Sequence, residues 1–190
     1  MFSPVKGDCP PAAGDASRPE VVILVGLQAS GKSTYGRQRY GATHVLVSRD
    51  LFRNHPRPAR RQRELLDQAL RAGRSALVDN TSPTLADRAA VVELARALGA
   101  RVTCCFFPPD VRASIARNAR REGKERIPVV GILATAKRLV APTLEEGFDR
   151  LVEVRLDGRG GFEEREVGPA AGKSAGVRER PPGGTGPGAA

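Results

Sequence analysis

The sequence predicts an α/β fold, three layers deep, with helices on both sides of a mostly parallel five-stranded sheet. Short apolar runs alternate with segments of helical periodicity through the middle of the chain. The strongest run, Val21 to Val25 (VVILV), is apolar without interruption, as in a strand covered on both faces. A glycine-rich turn follows that run at once and leads into helical sequence.

Taken in order, the first helix is expected from Lys32 to Tyr40 and the second strand from Val45 to Val47. Arg57 to Arg71 reads as a helix, with Pro58 suited to its first turn and Gly73 suited to ending it. A third strand runs from Ser75 to Val78 and ends at Asp79. Ser82 is expected to cap the next helix, with Pro83 in its first position. Leu85, Ala89, Val92, Ala95 and Leu98 hold helical spacing up to Gly99. Arg101 to Phe107 is a fourth strand, and Asp110 caps a helix reaching about Arg120. A basic irregular stretch, a helix from Pro128 to about Val140 and a fifth strand from Leu151 to Leu156 complete the pattern.

The ends differ. Residues 1–19 and 158–190 are rich in Gly, Pro and Ala or in charge, lack apolar periodicity, and are expected to be disordered tails around one folded unit at 20–157. A chain of 190 residues suits one core, and 40% hydrophobic residues suit a globular protein. No apolar run approaches the roughly 20 residues of a spanning helix, so no membrane association is expected. The N-terminus breaks its apolar residues with prolines and acids, unlike a secretory leader, so the expected location is cytoplasmic. Three cysteines make no disulfide framework, and Cys104 and Cys105 lie in the apolar run VTCCFF, which suits buried packing. The net charge of +10 fits a phosphate-rich partner or a solvated Arg-rich surface. With aromatics at 4% and no Trp, platforms for stacking bases are few.

Gly26-Leu-Gln-Ala-Ser-Gly31-Lys32-Ser33 satisfies GxxxxGK[ST], and it sits between a strand and a helix, where that motif belongs. Its glycines let backbone amides turn toward phosphate oxygens, and the following helix adds the positive end of its dipole. The candidate nucleotide-contacting residues are Gly26, Ala29, Ser30, Gly31, Lys32, Ser33 and Thr34, with Lys32 on the β- and γ-phosphates and Ser33 as the Mg²⁺ ligand. ATP and Mg²⁺ are the expected ligands, and the fold expected is that of the P-loop NTPases.

Partners for the loop belong at the carboxyl ends of the other strands. Ser48-Arg49-Asp50 ends the second: Asp50 is either a base for an attacking hydroxyl or a helix cap paired with Arg49. Asp79, followed by Asn80, either serves Mg²⁺ or the loop serine, or forms a turn. Arg117, Arg120 and Arg121, near Gly123, make either a basic lid over the triphosphate or a solvated helix face ending in a basic turn.

Taken together, GLQASGKST, SRD, VDNTSP, the Arg-rich segment leading into IPV, and APTLEEGFDRLVEV at Ala141 to Val154 resemble the kinase domain of polynucleotide 5'-hydroxyl kinases, the group that includes the polynucleotide kinase-phosphatases. The resemblance spans roughly Val21 to Leu156. It implies that Lys32 and Ser33 handle ATP and Mg²⁺, that Asp50 is the general base, and that Arg121 is the lid arginine, with Arg117 and Arg120 close enough to exchange roles. Arg49, Arg53, Asp79 and Asn80 fall on the acceptor side, Arg53 matching a substrate-phosphate arginine of the phage enzyme. Ser48 stands where the family usually has Asn. No DxDx[TV] motif is present, so the 3'-phosphatase activity of bifunctional relatives is not expected. The resemblance implies ATP-dependent transfer to the 5'-hydroxyl of DNA or RNA, with a nucleic-acid end as partner and no protein partner evident. A kinase for a small hydroxyl compound, or a nucleotide-binding module without transfer, uses the same scaffold.

Overall fold

A computed structural model describes residues 18–52 and 54–168. Arg53 and most of both expected tails lie outside the described residues.

The elements follow as β1 (Glu20–Val25), α1 (Lys32–Tyr40), β2 (Val45–Val47), α2 (Pro58–Arg71), β3 (Ala76–Asp79), α3 (Leu85–Ala97), β4 (Arg101–Phe106), α4 (Val111–Ala119), α5 (Val129–Arg138), β5 (Arg150–Leu156) and β6 (Phe162–Glu166). Single 3-10 turns occupy Arg49–Phe52, Gly123–Glu125 and Leu144–Glu146. The strand order is β2-β3-β1-β4-β5-β6. The first five are parallel, with Val21 beside Ala76 on one side and Val102 on the other. The chain steps outward from β1 to one edge and then back across it to β4, so a crevice opens at the carboxyl end of β1.

Successive side chains of β1 face opposite layers. Val21, Ile23 and Val25 pack with Leu66 and Leu70 of α2 and Val91 and Val92 of α3. Val22 and Leu24 pack with Tyr35 of α1, Leu77, Cys105, Phe107 and Val154. Val21 to Val25 are wholly buried, which is why the run carries no polar residue. Cys104 and Cys105 are buried thiols in these two clusters, and burial pushes the Cys105 thiol up to about 11. Among the described residues no helix is long and apolar enough to cross a membrane.

Two sequence expectations need correction. The sheet has six strands, and β6 lies inside the stretch 158–190 expected to be structureless. It runs antiparallel to β5, with Leu156 opposite Phe162. Its Phe162 ring meets Tyr35 at 5.2 Å and Phe107 at 6.4 Å between centroids, giving an otherwise charged edge strand an aromatic anchor beside its ladder to β5. The second correction concerns α3, which is capped by Thr84 in a capping box with Asp87, two residues after the expected Ser82. The Pro83 carbonyl accepts from Val140 N at 2.8 Å, holding the chain extended there and delaying the helix. Asp110 caps α4 as expected, accepting from Ala113 N at 2.9 Å.

Candidate active site

The loop after β1 is shaped by three backbone positions. Gly26 has φ 152, and a Cβ there would stand 2.8 Å from Phe107 Cβ and 2.9 Å from its carbonyl oxygen. Only glycine lets β1 exit beside β4. Its N–H donates to Thr81 O at 3.1 Å, tying the loop to the segment after β3. Ala29 (φ 57) and Gly31 (φ 102) then turn the chain through left-handed conformations. Gly31 precedes α1, which has no side-chain cap and no acid in its first turn. The amides and dipole of that helix end are left open to an anion. Ser33 and Thr34 are exposed in this first turn. Ser30 Oγ is buried with no hydrogen-bond partner among the described residues.

Lys32 is buried, and its Nζ donates to Leu27 O at 2.7 Å. Burial pushes its pKa down to about 8, with the Arg121 charge adding to the decrease and the Asp79 and Asp50 carboxylates opposing it. Asp50, Asp79 and Arg121, read separately from three distant segments, thus all act on the one ammonium group. Asp50 is exposed in the 3-10 turn after β2, and Asp79 is half-buried at the end of β3, opposite Leu24 of β1.

The loops after β2 and β3 are bound to each other. Ser48 Oγ donates to Asp79 O at 2.8 Å and accepts from Asp50 N at 3.3 Å. Asn80 Oδ1 accepts from Arg49 N at 3.1 Å. Gln62 Oε1, from α2, accepts from Arg49 Nε at 2.8 Å and Asn80 Nδ2 at 3.0 Å. Sequence reasoning missed Gln62; the signal available was a polar residue in line with the apolar positions Leu66, Ala69 and Leu70 of the helix.

The three candidate lid arginines are in different situations. Arg117 Nε donates to Ala29 O at 2.7 Å, so this side chain is half-buried against the phosphate loop, not solvated. Burial lowers its pKa, opposed by Asp110. Arg120 caps α4 and is exposed. Arg121 is half-buried and acts on Lys32. The basic turn that follows is closed by Asn118, which donates to Ile127 O at 2.7 Å and accepts from Ile127 N at 3.0 Å. Gln28 of the loop donates to Thr135 Oγ1 of α5 at 2.9 Å.

A buried ion pair supports this end of the sheet from behind. Arg88 is wholly buried and donates to Glu146 through Nε at 2.6 Å and Nη2 at 2.8 Å. Its Nη1 serves the carbonyls of Ser82, Pro83 and Val140. The segments VDNTSP and APTLEEGF, alike in the sequence only as matching stretches, are joined by this one guanidinium.

Residues 21–141 match the family described as AAA domain. The bifunctional polynucleotide phosphatase/kinase of Schizosaccharomyces pombe is 26% identical over 139 residues, which are 71% of this chain and 33% of that protein. The chain therefore spans about a third of the length of this relative. Among solved structures, a gluconokinase from Sinorhizobium meliloti superposes with a TM-score of 0.54 at 18% identity, covering 73% of this chain and 83% of the other. Kti12 from Chaetomium thermophilum, in complex with ADP-AlF3, gives a TM-score of 0.54 at 17% identity, covering 72% and 89%. At such identities the likeness is one of fold.

Proposed function

The chain belongs to the AAA-domain family, and from that premise we propose that it is an ATP-dependent phosphotransferase acting on the 5'-hydroxyl of a polynucleotide. The observation that carries the reading is the phosphate loop, with its buried Lys32 and uncapped helix end, in a fold where the loops bearing Asp50 and Asp79 are hydrogen-bonded to each other and both carboxylates bear electrostatically on Lys32. A phosphate loop for nucleotide binding alone needs no exposed carboxylate at its mouth; a transferase needs a base there. The polynucleotide acceptor is supported by the S. pombe relative and by the ordered motifs GLQASGKST, SRD, DNT and APTLEEGF.

In this mechanism the loop amides and the first turn of α1 hold the phosphates of ATP. Lys32 exchanges its bond to Leu27 O for bonds to β- and γ-phosphate oxygens. Asp50 accepts the proton of the 5'-hydroxyl as its oxygen bonds to the γ-phosphorus and the bond to the bridging oxygen of ADP breaks. Arg121 neutralises charge on the transferring group, while Arg117 holds the loop through Ala29 O. Mg²⁺ supplies further charge neutralisation when bound; the Ser33 hydroxyl and, through water, Asp79 offer the all-oxygen donors that suit it.

The fold shared with the gluconokinase favours a second reading, a kinase for a small hydroxyl compound. One assay separates them: transfer of labelled γ-phosphate, with Mg²⁺, to 5'-OH DNA and RNA oligonucleotides, beside the Asp50→Asn protein. Label at the 5' end that vanishes in the variant is the expected result. Intact ATP binding without oligonucleotide labelling rejects the nucleic-acid acceptor in favour of small ones.

A further inference from the structure

We propose that Gln62 is a positioning residue that aims the Arg49 guanidinium at a phosphate of the acceptor, holding that phosphate in register with Asp50. This rests on the phosphotransfer reading above.

Gln62 is the polar member of the buried face of α2, otherwise Leu66, Ala69 and Leu70. Burying an amide there is unfavourable unless it is hydrogen-bonded. Both side-chain donors in the cluster, Arg49 Nε and Asn80 Nδ2, fall on the same Oε1. Asn80 returns to Arg49 by accepting its backbone N–H, so the three residues close a ring that joins α2 to the loops after β2 and β3. A guanidinium is planar, and a bond at Nε fixes the plane in which its terminal amines lie. Those amines are the fork that matches a phosphate in bidentate geometry. Arg49 is half-buried and directly precedes Asp50, so an anion on its fork sits at a set distance from the base.

Both bonds to Arg49 and Asn80 are accepted by the Gln62 oxygen, so glutamate keeps them and methionine keeps neither. Steady-state transfer by Gln62→Met, Gln62→Glu, Arg49→Lys and the Gln62→Met/Arg49→Lys double variant, with melting curves for each, tests this. The expected result is an acceptor KM raised about tenfold in Gln62→Met, with ATP KM unmoved and kcat at saturating acceptor within about threefold. Gln62→Glu brings the acceptor KM back toward the parent value. The double variant loses no more than Arg49→Lys alone, since Gln62 acts through Arg49. Additive losses, a shift in ATP KM, or a Gln62→Glu protein as impaired as Gln62→Met overturns the inference while leaving phosphotransfer standing. A parent chain that labels neither an oligonucleotide nor a nucleoside 3'-phosphate overturns both.

Discussion

Lys32 Nζ donates to the carbonyl oxygen of Leu27, five residues back in its own loop, at 2.7 Å. The ammonium is thus satisfied inside the protein and withdrawn from water, with burial holding its pKa at about 8.

Nucleotide binding should therefore be linked to protons. Polyphosphate next to Lys32 favours the charged form, so binding at pH 8 to 9 takes up a proton, and ATP affinity falls as pH rises above about 8. Calorimetry in buffers of different ionisation enthalpy measures this uptake, and Lys32→Met abolishes it. The stability sign follows from the same depression. Between about 8 and the ordinary 10.5 the unfolded chain holds the proton and the folded one does not, so Lys32 makes stability rise with pH there. Below about 8 its contribution is constant. Denaturant titrations of the parent and Lys32→Met across that window check the slope.

Asp50→Asn should lower transfer by about 10²–10⁴-fold, with ATP affinity nearly unchanged. Single-turnover kinetics beside nucleotide titration separates the two quantities. Full turnover in the variant assigns the base elsewhere.

Arg121→Ala and Arg117→Ala should differ in kind. Arg121 acts on Lys32, and its loss is expected to reduce kcat on the order of 10³-fold. Arg117 holds Ala29 O, so its loss loosens the loop and raises the KM for ATP. Equal kcat losses in both would place both at the transferring group.

Glu146→Ala leaves the wholly buried Arg88 guanidinium without its carboxylate. The expected loss is about 3–5 kcal/mol, and an apolar pair, Arg88→Met with Glu146→Leu, does not restore it, because the carbonyls of Ser82 and Val140 lose their donor. Chemical denaturation with the linear extrapolation measures both.

Truncation after Asp157 removes β6 and the Phe162 ring that Tyr35 and Phe107 pack against. A lower melting temperature is expected. The ring also stands 3.3 Å from where a Gly31 side chain would begin, so the same truncation should weaken ATP binding.

Much of the site was legible because its signals are local. The run from Val21 to Val25 declared a strand buried on both faces, and GxxxxGKS between strand and helix declared the phosphate loop. Asp79 stood out for the same reason, as a polar residue closing an apolar run, and Asp50 as a carboxylate in the turn just beyond another. Asp110 and Pro58 announced their helix starts by residue type and position.

The remainder depends on contacts between distant segments. Arg88 and Glu146 are 58 residues apart, and each looks like an ordinary charge in an amphipathic helix or turn until the fold buries them together. Gln62 lies 13 residues from Arg49 and 18 from Asn80, and its value comes from two donors arriving from the separate loops after β2 and β3. β6 has one half-buried aromatic and an exposed charged remainder, because an edge strand needs few apolar residues, so its composition matches that of a tail. The sequence by itself determined the alternation of elements, the phosphate loop and the residue types around it, since periodicity and turn chemistry act over a few residues. Only the tertiary structure decided that the loops carrying Asp50 and Asp79 are bonded to each other and that both carboxylates, with Arg121, bear electrostatically on Lys32, because the long-range packing of parallel strands, not any local spacing, brings the ends of β1, β2 and β3 to one side of the sheet.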